Sequence, residues 1–198
     1  MSHPDDSFIR MSYYLLKDNI NKILDYGFGS GVTTMHLAQR NFNVTGLEVS
    51  QEAIKLTHQR LTAINATAQL DLYDGAPQLT YSDNSFDAII AWQSLTYNTP
   101  NSFEKIMAEF HRVLKPGGVF LAAISAPGDH IHTTSTPLDN GARQLEAAGQ
   151  EGATVFIPTE EQLCSLCPTN NLTLGKITLD YQAISNIICK YHLVHYIK

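Results

Sequence analysis

Residues 25–31 read Asp-Tyr-Gly-Phe-Gly-Ser-Gly and join an apolar segment to one with helical periodicity. Residues 21–26 predict a short buried strand, and residues 30–40 predict a helix because apolar side chains recur at three-residue spacing. Glycines at such a junction allow a tight turn, and they let a ligand reach the N–H groups that begin the helix. A turn that only packs the strand on the helix would use the same glycines, so this loop alone does not establish a binding site.

The remainder of the chain repeats this alternation of strand and helix. Strands are predicted at residues 43–49, 67–73, 86–92 and 119–124, and helices at residues 50–63, 102–114 and 159–167. Two closing strands are predicted at residues 172–181 and 187–196. The short connection between them, residues 182–186, implies an antiparallel pair. Alternating strands and helices predict an α/β fold with a mostly parallel sheet.

The chain length of 198 residues predicts a single domain over residues 1–198. Residues 1–20 are predicted to be a short N-terminal cap segment. In this segment, Tyr13 and Tyr14 either close over a site or pack on the sheet. Residues 125–158 lose the regular pattern and are predicted to be a variable loop region.

Composition excludes several classes of function. The formal net charge of −6 and the scattered Lys and Arg residues argue against a nucleic-acid partner. No apolar run is long enough to span a membrane, and the acidic start argues against a signal peptide, so a cytoplasmic location is predicted. The three cysteines are predicted to be free thiols. A zinc site that includes Cys189 and His192 is disfavoured because this spacing on a strand directs the two side chains to opposite faces.

The glycine spacing also indicates which ligand is bound. A dinucleotide fingerprint requires G-x-G-x-x-G, but Gly31 comes one position early and Val32 occupies the place of the third glycine. The acidic Asp25 would repel a pyrophosphate and attract a cationic group. S-adenosylmethionine carries an ammonium and a sulfonium and has no phosphate, so the pattern favours it. A nicotinamide oxidoreductase remains the less favoured alternative.

Two further acidic positions follow predicted strands. Glu48 ends the second strand, where a carboxylate can accept both hydroxyls of a ribose and would repel the 2′-phosphate of NADP. Asp74 and Gly75 follow the third strand, where they could read the edge of an adenine. An acidic residue at the end of a strand and an Asp-Gly pair in a turn are both common surface features when taken alone. Together with the glycine loop they converge on the carboxyl edge of the sheet, where open α/β folds bind ligands.

The segments ILDYGFGSG (23–31), GLEVS (46–50), LYDGAPQLTYSDNSFDAIIAWQSL (72–95) and FHRVLKPGG (110–118) follow one another at characteristic distances. In these segments the chain resembles the class I S-adenosylmethionine-dependent methyltransferases, specifically the small-molecule branch of the methyltransferase type 11 kind. The resemblance covers residues 23–123 and is weak beyond them. It implies a Rossmann-like sheet of seven strands in the order 3-2-1-4-5-7-6, with the last strand antiparallel and helices on both faces.

The same resemblance implies roles for individual residues. Asp25, Gly27, Gly29 and Gly31 would hold the methionine part, Glu48 the ribose, and Val49, Asp74 and Gly75 the adenine. Residues Ala91, Trp92 and Gln93 would lie beside the methyl sulfonium. Phe28 departs from the family pattern, in which this position is often small, and its ring could reshape the floor of the pocket.

The expected activity is in-line methyl transfer to a small-molecule acceptor, leaving S-adenosylhomocysteine as the product. Tyr97, His130 and His132 are the candidate catalytic or acceptor-contacting residues. The alternative for both histidines is that they are solvated loop residues without a role in the site. No metal site is predicted. A non-catalytic binding or regulatory domain is the alternative function, and a homodimer that completes the site is also possible.

Overall fold

A computed structural model describes residues 4–16, 19–147, 149–169, 171–181 and 187–198. The N-terminal half begins with α1 (Asp6–Met11) and a 3₁₀ helix (Ser12–Leu15). The next elements are β1 (Lys22–Tyr26), α2 (Val32–Ala38), β2 (Asn43–Glu48), α3 (Gln51–Ala63), β3 (Gln69–Leu72) and β4 (Phe86–Trp92). The remaining elements are α4 (Pro100–Val113), β5 (Leu114–Ser125), α5 (His130–Thr133), β6 (Ser135–Pro137), β7 (Arg143–Leu145), β8 (Thr154–Val155), α6 (Glu160–Leu166), β9 (Thr173–Asp180) and β10 (Ile188–Ile197).

Seven of the described strands form one mixed sheet in the order β3-β2-β1-β4-β5-β10-β9. When these seven strands are numbered by themselves, their order is the predicted 3-2-1-4-5-7-6. Strands β1 to β5 pair in parallel, whereas β10 is antiparallel to both β5 and β9. The predicted fold class is therefore confirmed. The predicted connection at residues 182–186 lies outside the described residues.

The sheet is covered by helices on both faces, which explains the near-continuous apolar sequence of its central strands. One core contains the apolar stripe of α4 together with Leu163 of α6. The other contains apolar residues of α1, α2 and α3. Alternate residues of β4 divide between the two cores: Ile89 and Ala91 face α4, whereas Ala88 and Ile90 face the other side.

Helix α4 begins two residues earlier than the apolar pattern predicts. Pro100 occupies the first turn, where its missing N–H costs no hydrogen bond. Thr99 caps the helix by accepting a hydrogen bond from the Ser102 N–H at 3.1 Å. The helix ends at Val113, and β5 already begins at Leu114, which pairs with Phe86. Residues 115–118, between the predicted helix and the predicted strand at residues 119–124, are thus part of this strand.

Residues 125–158 are more regular than predicted. They contain α5 and a small antiparallel sheet in the order β6-β7-β8. These strands are only two or three residues long, so no apolar alternation develops that the sequence could reveal. The assignment of residues 1–198 to a single domain stays a prediction.

The N-terminal segment packs on the sheet through Asp5 and Phe8. One carboxylate oxygen of Asp5 caps α1, and the other accepts a hydrogen bond from the Trp92 indole at 2.8 Å. The fully buried Phe8 contacts Trp92 edge to face. Tyr14 stacks on His195 of β10, so it packs on the sheet, which is one of the two alternatives that the sequence left open. Tyr13 is exposed.

Candidate functional site

The glycine loop after β1 has a left-handed backbone at Gly27, Gly29 and Gly31. A Cβ at Gly27 would clash with Ser94, and one at Gly31 would clash with Thr57 of α3, so these two glycines also permit close packing. A Cβ at Gly29 would meet no atom within 4 Å. Gly29 is therefore the glycine of this loop that faces open space, where a ligand can approach the backbone.

Glu48, at the end of β2, is tied to this loop by its carboxylate. Its Oε2 atom accepts a hydrogen bond from the Gly29 N–H at 2.8 Å. Its Oε1 atom accepts from the N–H groups of Val49 and Ser50, at 2.8 and 3.0 Å. The side chain is mostly buried, so these three donors fix its position. A carboxylate has about four acceptor positions, which leaves capacity for a ligand hydroxyl.

Asp25 lies at the end of β1, beneath the loop, and is 1% exposed. Its Oδ2 atom accepts a hydrogen bond from the Thr34 hydroxyl at 2.6 Å, and its buried Oδ1 atom has no hydrogen-bond partner among the described residues. Burial raises the pKa of this carboxyl to about 7, and the charge of Glu48 adds to the rise while the Thr34 hydrogen bond opposes it. A cationic ligand group would satisfy Oδ1 and favour the charged form.

A cavity of about 430 Å³ lies at the carboxyl ends of β1 to β4. Its lining consists of Tyr26, Gly27, Gly29, Leu47, Glu48, Val49, Tyr73, Gln93, Ser94, Tyr97, Asn98 and Gln150. Six of the predicted site residues are therefore gathered around one space: Gly27, Gly29, Glu48, Val49, Gln93 and Tyr97. This is the edge at which parallel α/β sheets bind their ligands.

Gln150 is a lining residue that the sequence analysis missed. It lies in the turn between β7 and β8, and its Nε2 atom donates a hydrogen bond to the Tyr97 hydroxyl at 3.0 Å. Ser94 was missed as well, and its hydroxyl donates to the Tyr26 carbonyl at 2.7 Å. The only local signal for Gln150 is a polar turn flanked by Gly149 and Gly152, which does not indicate where that turn packs.

Six other predicted cofactor residues do not line this cavity. Asp74 lines a neighbouring cavity of about 270 Å³ and accepts a hydrogen bond from the Ala76 N–H, and Gly75 lies beside it. Ala91 is buried in the α4 core, whereas Trp92 lies on the opposite face against Phe8. The remaining two are Asp25, beneath the loop, and Gly31, at the start of α2.

Phe28 does not form the floor of the cavity. Its ring is buried against Gly46 of β2, where a Cβ would come within 2.6 Å of the ring. A bulky residue is accommodated in the loop because the neighbouring strand carries a glycine. The expected reshaping of the pocket by this ring is therefore not seen among the lining residues.

His130 and His132 both lie in α5 and are absent from the described lining of the cavity. The Nδ1 atom of His132 accepts a hydrogen bond from the Gly128 N–H at 2.9 Å. Burial, aided by the charge of Arg143, lowers the pKa of His132, so its ring is neutral at pH 7. The structure does not bring either histidine together with Tyr97.

Among the described residues, the structure shows no zinc site around His192, which the sequence analysis considered with Cys189: its Nε2 atom lies 3.1 Å from the Pro158 carbonyl oxygen. Another of the three cysteines, Cys167, is buried in the α4 core. Within the part of the chain that the structure describes, no three His, Cys, Asp or Glu side chains are grouped to hold a metal ion. None of the helices in the described ranges has the length and apolar character needed to cross a bilayer.

A second cavity of about 410 Å³ lies between α6 and the β9–β10 pair. Lys176 and Glu160 form an ion pair at its rim, and both side chains are largely exposed. The cavity contains none of the predicted site residues. Its mixed charges favour no particular ligand, so the cavity beside Gly29 and Glu48 is the candidate site.

Comparison with known proteins relates the chain to methyltransferases. Residues 23–118 match the family model described as methyltransferase domain. The chain is 32% identical over 130 residues to the uncharacterized methyltransferase sll0829 of Synechocystis; the aligned part is 65% of this chain and 59% of that protein. The chain thus spans little more than half the length of this relative.

Solved structures share the fold. A methyltransferase from Methanosarcina mazei, described as dependent on S-adenosylmethionine, matches with a TM-score of 0.78 at 20% identity over 100% of this chain and 99% of that one. The 1,6-didemethyltoxoflavin-N1-methyltransferase of Burkholderia thailandensis was solved with S-adenosylhomocysteine bound. It matches with a TM-score of 0.67 at 16% identity over 96% of this chain and 75% of that one.

Proposed function

We propose that this chain is a class I S-adenosylmethionine-dependent methyltransferase, whose domain family its residues 23–118 match, and that it transfers a methyl group to a small-molecule acceptor. The observation that carries the proposal is the Glu48 carboxylate, held by three backbone N–H groups on the cavity wall beside the open face of Gly29. A fixed carboxylate next to an unobstructed glycine backbone suits a nucleoside with a positively charged substituent.

The residues present fit S-adenosylmethionine. Gly27 and Gly29 line the cavity and offer a backbone surface for the methionine part. Asp25 keeps a buried carboxylate oxygen without a partner among the described residues, and we assign this oxygen to the ammonium. Glu48 has free acceptor capacity for the ribose, and Val49 and Tyr73 flank the space for adenine. Asp74 and Gly75 stay predicted contacts of the adenine edge.

When bound, S-adenosylmethionine supplies a methyl group that its sulfonium already activates for displacement. The protein then has to align an acceptor with that methyl group and exclude water, and proximity of this kind can lower a barrier by about 7–11 kcal/mol. Gln93, Tyr97 and Gln150 also line the cavity, and their polar side chains suit contact with an acceptor. We assign them to acceptor binding.

The proposal is tested by calorimetry with S-adenosylhomocysteine. Glu48→Ala removes the ribose acceptor and should weaken binding by about 1.5–3 kcal/mol, the usual worth of a hydrogen bond to a charged group. Glu104→Ala is the matched control, because it removes the same charge from an exposed residue of α4 that does not line the cavity.

Because Glu48 also holds the Gly29 N–H, Glu48→Gln is measured in parallel and the folding of each variant is checked by thermal unfolding. If the wild type, Glu48→Ala and Glu104→Ala all bind S-adenosylhomocysteine with equal affinity, Glu48 does not contact the ribose. Transfer of radiolabelled methyl groups into cell extract then separates an active enzyme from a domain that only binds the nucleoside.

A further inference from the structure

The acceptor end of the cavity is formed by Gln93, Tyr97, Asn98 and Gln150. Gln93, Tyr97 and Asn98 follow β4, whereas Gln150 arrives from the turn between β7 and β8. All four side chains are polar and uncharged. Among the described lining residues of the whole cavity, Glu48 is the only carboxylate, and no Lys, Arg or His is present.

No group of the described lining is suited to remove a proton from an acceptor at neutral pH. Glu48 is engaged by three backbone N–H groups beside Gly29. Burial raises the pKa of both Tyr26 and Tyr73, which keeps these phenols protonated. His130 and His132, the histidines that follow β5, lie in α5 outside the lining.

This lining restricts the chemistry of the acceptor. An alcohol is a poor nucleophile unless a base takes its proton. A carboxylate or thiolate would lose hydration and find no cationic side chain among the described lining residues, and an ammonium group would lie beside the positively charged sulfonium. An uncharged group with a free lone pair requires neither a base nor a counter-ion.

We infer, on the basis of the proposed function, that the acceptor is an uncharged heteroaromatic compound that Tyr97 and Gln150 hold by a polar substituent and that reacts through its ring nitrogen. Its lone pair forms the new N–CH₃ bond while the S–CH₃ bond breaks and leaves its electron pair on sulfur. The positive charge passes from sulfur to nitrogen, and no proton is released in the step.

Tyr97 and Gln150 are 53 positions apart in sequence and meet across the cavity wall. The Gln150 amide donates to the Tyr97 hydroxyl, so the phenol keeps its own hydrogen to donate, and the Gln150 carbonyl keeps its acceptor capacity. The pair thus presents one donor and one acceptor to an uncharged polar ligand. These are specificity-determining contacts, because neither side chain has to change its protonation state.

The test titrates the protein, loaded with S-adenosylhomocysteine, with two bicyclic probes of similar size: 6-hydroxyisoquinoline, which has a ring nitrogen, and 6-hydroxy-2-naphthoate, which has a carboxylate instead. We expect 6-hydroxyisoquinoline to bind at least 10-fold more tightly than 6-hydroxy-2-naphthoate. The hydroxyl of the probe can accept from Tyr97 and donate to Gln150, so Tyr97→Phe and Gln150→Ala should each weaken 6-hydroxyisoquinoline about 3- to 10-fold, the loss of one uncharged hydrogen bond. The affinity for S-adenosylhomocysteine should not change.

The matched control is Gln144→Ala, which changes an exposed residue of β7 in the same small sheet. It should alter neither the affinity for the probe nor the affinity for S-adenosylhomocysteine.

A second measurement does not require a known acceptor. Labelled products, once separated from unreacted S-adenosylmethionine, should be retained by a cation-exchange resin at pH 10, because a quaternary ring nitrogen keeps its charge there. Label found in alkali-labile esters or in neutral ethers overturns the inference, as does binding of 6-hydroxy-2-naphthoate that equals or exceeds that of 6-hydroxyisoquinoline. If S-adenosylhomocysteine itself does not bind the wild type, the proposed function fails instead.

Discussion

At the scale of single residues, Asp25 combines two properties that are costly without a ligand. Its Oδ1 atom is buried without a hydrogen-bond partner among the described residues, and its pKa is raised from 3.8 to about 7. A buried polar atom left unpaired destabilises the fold. The arrangement is consistent with a carboxylate that binds a cationic ligand group. Such a group would pair with the Oδ1 atom and would lower the pKa of the carboxyl.

The stability of the ligand-free protein should therefore depend on pH through Asp25. Between pH 4 and pH 7 the folded state binds a proton that the unfolded state has lost, so raising the pH through this window lowers the free energy of unfolding. Asp25→Asn keeps an oxygen that can accept from Thr34 and removes the titration. The variant should gain stability over the wild type as the pH rises from 4 to 8.

Thermal unfolding of wild type and Asp25→Asn across this range measures the effect. Calorimetry adds an independent check. Cofactor binding near pH 6 should release a proton from the wild type, detected by comparing buffers of different ionisation enthalpy, and should release none from Asp25→Asn. Parallel pH profiles for the two proteins would contradict the assigned titration.

At the scale of elements, the turn between β4 and α4 serves both the site and the fold. Tyr97 and Asn98 line the cavity, and the next residue, Thr99, caps α4. The apolar stripe of α4 is fully buried against the sheet. The position of the cap therefore sets where the helix begins and, through the short turn before it, where Tyr97 lies.

Thr99→Ala removes the acceptor for the Ser102 N–H and should cost about 1 kcal/mol of stability. For a domain of this size, 1 kcal/mol corresponds to a Tm lower by about 2–4 °C. Thr62→Ala in the last turn of α3 is the control, because alanine is a good helix former and the variant loses only an exposed hydrogen bond to the His58 carbonyl. A Thr99 variant that unfolds at the wild-type temperature would show that this cap contributes little.

At the scale of the whole molecule, the cavity draws on four parallel strands and on the small sheet that follows β5. A ligand that contacts so many elements binds only the folded chain, so it should raise the unfolding temperature. At 100 times its dissociation constant, S-adenosylhomocysteine should stabilise the protein by about 2.7 kcal/mol, or about 5–10 °C in Tm.

The same experiment with NAD should produce no shift, because the loop lacks the third fingerprint glycine and carries Asp25 where a pyrophosphate would be repelled. A shift with NAD and none with S-adenosylhomocysteine would favour the oxidoreductase alternative. The cytoplasmic location and the homodimer stay predictions at this scale.

The sequence by itself determined the order of the strands and helices, the glycine loop and the acidic end of β2. These are local properties: strand and helix periodicity repeats within a few residues, and a glycine turn is encoded where it occurs. They suffice to predict the sheet order through the family resemblance and to place Gly29 and Glu48 at the cavity.

Only the tertiary structure decided which side chains face that cavity. Ala91 and Trp92 point to opposite cores because side chains alternate along β4, and Gln93, just beyond the strand, is the one that lines the site. Gln150 reaches Tyr97 from a distant turn, and α5 leaves His130 and His132 outside the lining. Contacts of this kind depend on how separate elements pack, and no local pattern in the sequence encodes that.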